Sequence, residues 1–498
     1  MVNPAEAHPL AYPVPAEGVP CLIDGRDVPA DGGWMEKRSP HDGSLLWRYA
    51  RGGEAEVRKA VEAAKRAQPA WAALPGPERG RVLHAFCDQL EAGKADLADI
   101  VARECAKSPK EAAGEVDAAI ACGRFFAGEG QRSFGRTVPS GVPGRFAMTV
   151  RQPVGVAGLI IAANTPAANV AWKVFPALIC GNGVVLKAAE DAPATAWWMG
   201  RAALRAGLPA GVFNVVQGLG PEAGAPLVSH PDVGVISFTG SADVGREIAR
   251  VAGARLAKVS LELGGKNPFV VCDDADLDRA VDWAVRSAFS NAGQRCASGS
   301  RILVFDAVYD EFRDRMVEAT RRLRLGPDDD CDLGPVISEK ALSKLERAME
   351  TARSEGVTVL CGGGRSDRPE HHGGYYFLPT ILEGVSTDST LWRTELFGPV
   401  TVLRAVADLD EAIDLSDDSP YGLTACIHTS SFDRAWRYAT QVASGVAVVN
   451  GGTFGSEPHM PFGGLKDSGN GTREPGPEAI DVYTEIKDVY LHVDLSVR

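Results

Sequence analysis

One cysteine stands in the run FSNAGQRCASGSR, residues 289–301, among small and polar residues with arginine directly before it. Sulfur is a strong nucleophile toward an electrophilic carbon, and a thiol so placed is suited to covalent catalysis. By composition alone the same Cys296 reads as a structural thiol, because free cysteine is usually a small core hydrophobe. The chain carries ten cysteines, scattered from Cys21 to Cys426 with no Cys-x-x-Cys pair. Scattered thiols read as reduced, which predicts a cytoplasmic protein. They also argue against zinc, and no metal is expected: His371 and His372 are adjacent and lack the spacing of a ligand pair on one helix face.

A second group of residues could hold an anionic ligand. In FTGSADVG, Gly240 ends a strand-like run and Ser241 can cap the helix that follows, so backbone N–H groups converge there. An ordinary capped turn would use the same residues, and no clean Gly-x-Gly-x-x-Gly follows a strand, so a dinucleotide here would bind in a non-standard mode. VVLKAAED adds Lys187 and Glu190 at the end of another strand-like run. A carboxylate there can accept from ribose hydroxyls and would repel a 2′-phosphate, which favours NAD over NADP. The alternative is a surface lysine and a glutamate favoured by a helix N-terminus.

The elements that must position these groups are legible as an alternation. Residues 55–107 have apolar residues at three- and four-residue spacing and predict helices. From residue 154 strand and helix alternate five times with short loops: VGVAGLIIAAN, GVVLKAA, GVFNVVQG, VGVISFTG and AKVSLELGG are the strands. That is the pattern of an α/β fold with an open parallel sheet covered on both faces. Ligands bind such sheets beyond the carboxyl ends of the strands. A second alternating segment runs from about 265 to 465, with the boundary near Gly264–Gly265. The end, DVYTEIKDVYLHVDL, alternates apolar and polar residues and reads as a strand needing a partner, one that another subunit could supply. The proline-rich start, MVNPAEAHPLAYPVPAEGVP, predicts an extended arm and not a signal peptide. A net charge of −13 argues against nucleic-acid or anionic-membrane partners, and no apolar run has the length of a membrane span. The acidic run GPDDDCD reads as a solvated loop.

Four stretches, LELGGKNPFVV, FSNAGQRCASGSR, ELFGPV and MPFGGLKDSG, occur in an order and spacing that resemble the aldehyde dehydrogenase superfamily, the NAD(P)-dependent, non-phosphorylating kind. The resemblance covers about residues 20–495, with Glu262 and Cys296 spaced 34 apart and Cys296 and Glu395 spaced 99 apart. It implies a catalytic set of Cys296 as nucleophile, Glu262 as general base, Asn164 as oxyanion donor, and Lys187 and Glu395. It implies NAD contacts from Ile161, Ala162, Asn164, Lys187 and Glu190, from Gly220, Gly224 and Phe238, from Gly240, Ser241 and Val244, and from Leu263, Gly264, Glu395 and Phe397. It further implies an NAD-binding domain (1–128 and 150–262, with 466–479 returning to it), a catalytic domain (263–465) and a small β oligomerisation domain (129–149 and 480–498), in a homodimer or homotetramer.

Elementary chemistry agrees with those roles. A thiol adduct of an aldehyde can lose hydride and become a thioester. The developing oxyanion needs fixed donors, and a carboxylate in a partly dry site can activate the hydrolytic water. A preceding arginine and a bound cationic cofactor would lower the Cys296 pKa. Glu262 favours hydrolysis to the free acid over transfer to coenzyme A; a CoA-acylating enzyme and a non-catalytic NAD-binding protein of the same fold are the rival readings.

Three features depart from the commonest pattern of that family. The oxyanion asparagine sits in Ala163-Asn164-Thr165, without flanking aromatics. The loop GTFGSEPHMPFGG is long and places Phe454, Glu457 and His459 where the family shapes its substrate pocket. Arg295 precedes the cysteine and could pair with a substrate carboxylate, or else pack its stem and face solvent or a neighbouring glutamate. Trp172 is a possible apolar wall of the pocket or plain helix–sheet packing. The substrate expected is a polar aldehyde, a semialdehyde with a carboxylate or amino group included.

Overall fold

Two seven-stranded sheets dominate the computed structural model, which describes residues 13–328, 330–494 and 496. The first twelve residues of the expected N-terminal arm lie outside the described residues.

The first sheet is built on the five predicted strands, Val156–Ile160, Gly183–Lys187, Phe213–Val216, Val233–Thr239 and Lys258–Glu262, all parallel. Strands such as VAGLI and GVVLK are buried at every position, as a parallel sheet covered on both faces demands. In space, Val156–Ile160 lies between Gly183–Lys187 and Val233–Thr239. The strand order therefore reverses there, and a crevice opens at the carboxyl ends of those strands. Cys21–Ile23 and Arg26–Val28 extend the far edge antiparallel, an addition the sequence pattern did not predict. The predicted N-terminal helices form as Glu54–Ala73, Gly76–Ala92, Lys94–Cys105 and Pro109–Glu129. The first lays Val57, Ala60, Val61 and Ala64 against the sheet, the i, i+3, i+4, i+7 stripe of an amphipathic helix.

The second sheet runs Thr358–Cys361, Thr380–Glu383, Val400–Val406, Gly299–Phe305, Asn267–Val271, Thr424–His428 and Val446–Val449, parallel except for the first pair. Leu263–Lys266 is the short connection from the first sheet into it.

The C-terminal strand Thr484–His492 does not wait for another subunit. It pairs antiparallel with Arg145–Pro153 of its own chain, from Thr484 opposite Pro153 to His492 opposite Arg145, and Thr137–Val138 completes that sheet. The alternation was real, but period-two patterning cannot say which strand lies opposite. Among the described residues no helix is long and apolar enough to cross a membrane.

Candidate active site

Two cavities meet at the carboxyl ends of the first sheet, and Ser241 lines both. The larger, about 640 Å³, is lined by Ile161, Lys187, Glu190, Gly220, Gly224, Phe238, Ser241 and Val244. The smaller, about 410 Å³, is lined by Ala162, Asn164, Trp172, Gly240, Glu262, Leu263, Gly264, Cys296, Glu395 and Phe397. Every residue the sequence offered for the cofactor, and all five of the catalytic set, thus border one or the other.

In the larger cavity Lys187 is buried and pairs with Glu190 at 3.6 Å. Glu190 Oε1 also accepts from the Gly220 amide at 2.7 Å, which fixes the carboxylate at the cavity wall. Burial lowers the Lys187 pKa while Glu190 pulls it back up. Ser241 caps helix Ala242–Ala254 by accepting from the Val244 amide, and Val244 leaves an apolar side chain exposed beside Ile248 and Phe238. A helix N-terminus, an apolar slot and a fixed carboxylate together suit a dinucleotide's phosphates, base and ribose.

In the smaller cavity Glu262 is the last residue of its strand. It is buried, and neither carboxylate oxygen has a hydrogen-bond partner. Burial pushes its pKa well up, Glu474 adds to that, and Lys173 opposes it. Cys296 lies between the turn Ser290–Gly293 and strand Gly299–Phe305, half-buried. Its backbone is anchored by Asn267, whose Nδ2 donates to the Cys296 carbonyl at 2.8 Å and to that of Ser298 at 2.8 Å. Thr453 Oγ1 donates to the carbonyl of Ala297 at 2.6 Å.

Arg295 does lower the Cys296 pKa, as expected, but other influences outweigh it. Burial comes first and carries the thiol up to about 12, Glu395 and Glu262 add to the rise, and Arg295 is the smallest influence. The desolvation of a thiolate in this cavity outweighs one neighbouring cation.

Glycines 264 and 265 press the site together. A Cβ on Gly264 would stand 2.3 Å from Glu395 Oε2, and one on Gly265 would stand 2.4 Å from the Cys296 carbonyl. The Gly265 amide donates to Glu395 Oε1 at 3.0 Å. Burial nevertheless lifts Glu395 to about 7. Phe397, at φ +59°, holds a left-handed backbone at the cavity wall.

The substrate contacts divide. Trp172 lines the smaller cavity and packs on Phe462, ring centroids 5.5 Å apart. Arg295 stacks over Phe454 at 5.0 Å and reaches Glu111 at 3.4 Å, while its Nε has no partner. Arg295, Phe454, Glu457 and His459 border neither cavity; Glu457 and His459 are exposed and face each other at 3.5 Å.

Sequence reading missed the helix Glu339–Ser354, which brings Lys340, Lys344 and Arg347 to the cavity beside Glu395. Lys344 Nζ donates to the Glu395 carbonyl at 2.6 Å. The signal available was basic residues at helical spacing, which a solvated face shows equally. It also missed the ion pair Lys173–Glu474, although a lone lysine in NVAWKVFPALI marks a charge that must be buried.

The aldehyde dehydrogenase family profile matches residues 28–489. The chain belongs to the aldehyde dehydrogenase family. It is 37% identical to the alpha-ketoglutaric semialdehyde dehydrogenase of Bacillus subtilis over 94% of this chain and 97% of that one. It is 38% identical to the NADP(+) succinate-semialdehyde dehydrogenase of Escherichia coli over 94% of this chain and 96% of that one. The crystal structure of a betaine aldehyde dehydrogenase from Staphylococcus aureus in complex with NAD+ superposes with a TM-score of 0.94 at 30% identity, covering 96% of each chain. The protein is therefore an enzyme with the aldehyde dehydrogenase fold, and the two joined cavities are where that family membership directs attention.

Proposed function

We propose that this aldehyde dehydrogenase oxidises a polar aldehyde, a semialdehyde bearing a carboxylate or amino group, to the carboxylic acid with NAD+. The observation that carries the reading is the meeting of Cys296, Asn164 and Glu262 around one cavity that joins the cavity of Lys187 and Glu190.

The chemistry follows from those side chains. The Cys296 thiol gives up its proton to water, and its sulfur bonds to the aldehyde carbon. Asn164 donates to the oxygen that becomes negative. When bound, the dinucleotide supplies the acceptor for the hydride that leaves this carbon. As the carbonyl re-forms, the carbon remains on sulfur as a thioester. Glu262, as carboxylate, takes a proton from water; the hydroxide adds to the thioester, the C–S bond breaks, and the acid leaves. The Glu190 carboxylate favours NAD over NADP by repelling a 2′-phosphate.

The domain division 1–128 with 150–262 and 466–479, 263–465, and 129–149 with 480–498 belongs to the same reading, as does a cytoplasmic homo-oligomer. Exposed Ile486, Tyr490 and Leu491 on the C-terminal strand, beside exposed Phe146, support association through that sheet. Light scattering coupled to size exclusion decides between two and four chains.

The deciding assay follows NADH absorbance with a panel of aldehydes, NAD+ against NADP+, with and without coenzyme A. Polar semialdehydes are expected to give the highest kcat/KM and a free acid without coenzyme A. Faster oxidation of simple aliphatic or aromatic aldehydes overturns the substrate assignment, and an absolute need for coenzyme A overturns the hydrolytic one.

A further inference from the structure

Helix Pro109–Glu129 opens as a capping box should, with Ser108 accepting from the Glu111 amide at 3.3 Å. In helix Glu54–Ala73 the glutamate at the same place, Glu56, turns back to the Gly53 amide at 3.0 Å. Glu111 is directed elsewhere. Its Oε1 accepts from the Asn291 amide at 2.9 Å and from Arg295 Nη2 at 3.4 Å. The helix is already capped by serine, so the destination of this carboxylate is the loop that carries Cys296.

That loop is strained where Glu111 grips it. Asn291, Ala292 and Gly293 have φ of +53°, +51° and +67°, and two of the three carry a side chain. Such a run persists only when its surroundings hold it. Gly293 packs against the Gly398 carbonyl, to which a Cβ would come within 2.1 Å. Asn291 then passes the constraint on: its Nδ2 donates to the carbonyls of Asn164 and Gln294, each at 3.2 Å. Glu111 thus touches two residues of the run that leads to Cys296, Asn291 with its link to Asn164 and Arg295 next to Cys296.

We propose that Glu111 is a positioning residue for the nucleophile, holding the left-handed turn before Cys296 from a helix of the other half of the molecule. The proposal rests on Cys296 being the nucleophile. Glutamine at 111 keeps an oxygen for the Asn291 N–H and gives up the charge toward Arg295. Alanine keeps neither.

The test compares E111A, E111Q and the double variant E111A/A292G. Three readouts are used: the rate of iodoacetamide labelling at Cys296, located by peptide mass spectrometry; kcat and KM for the aldehyde; and NAD+ affinity. E111A is expected to lower kcat and the labelling rate about 10–100-fold with NAD+ affinity unchanged, the cost of a nucleophile displaced by an ångström or less. E111Q is expected to stay within about threefold of the parent, and glycine at 292 to recover part of the loss by relieving the turn. If E111A does not fold, E111D carries the same expectation, because its shorter arm withdraws the carboxylate. An unchanged labelling rate overturns the proposal, as does an equal loss in E111A and E111Q. Cys296→Ala is the separate control for the nucleophile itself: failure of that reading shows as undiminished turnover, whereas failure of this one shows as undiminished labelling.

Discussion

Asn164 Nδ2 donates to the carbonyl of Gln294 at 2.9 Å, so the residue proposed as oxyanion donor is tied to the loop that bears the thiol. An amide nitrogen has two hydrogens, and one remains for the reacting oxygen. Replacing Asn164 with alanine removes the donor and the tie, and replacing it with aspartate keeps the shape. Both are expected to lower kcat by about 10²–10³. Stopped-flow measurement of the first NADH turnover checks this, since the loss must fall on the oxidative half and not on thioester hydrolysis.

Glu190 is held by the Gly220 amide and by Lys187 and faces the larger cavity. A Glu190→Ser variant removes the charge that repels a 2′-phosphate and leaves Lys187 free to meet it. The ratio of kcat/KM for NAD+ over NADP+ is expected to fall at least about tenfold, the worth of roughly one 1.4 kcal/mol interaction. Steady-state kinetics with both dinucleotides reads it directly.

The carboxyl of Glu262 titrates above its usual range because burial disfavours the anion. A raised acid keeps its proton to higher pH, so the base form accumulates as pH rises, and hydrolysis of the thioester is expected to rise with it. Glu262→Gln cannot take a proton from water. It is expected to keep a first burst of NADH and to lose about 10²–10⁴ of the turnover that follows. Rapid-mixing traces over a pH series test both statements.

Lys173 and Glu474 form a fully buried ion pair at 2.7 Å, with Ser237 Oγ donating to Glu474 Oε1 at 2.6 Å and accepting from Lys173 at 2.6 Å. Lys173→Met strands the carboxylate in the core. The expected loss of stability is about 3–5 kcal/mol. Denaturant unfolding measures it, and the double variant K173M/E474M, which leaves no lone charge, is expected to be more stable than K173M.

Much of this was legible in the chain, for stated reasons. Five buried strands with helices between them leave one arrangement of layers, and Gly240–Ser241 marks a strand-to-helix turn whatever it binds. Motifs carried Cys296, Glu262 and Asn164 to one place that no local pattern could have joined. What stayed hidden is non-local and charged. Glu111 reads as a capping-box glutamate, and nothing near it in sequence points to Asn291. Cys21–Ile23 is too short to announce that it extends the first sheet. Glu457 and His459 were placed by their loop, and exposed loop side chains turn to solvent and to each other when no cavity wall is near.

The four residues Leu263–Lys266 are the span between the two large sheets, and Glu262 and Cys296 stand on either side of it. Movement of one sheet against the other is therefore expected to change the gap between acid and sulfur. Bulk added at Gly264 or Gly265 would press on Glu395 or on the Cys296 backbone, so a side chain at either position disturbs the site itself.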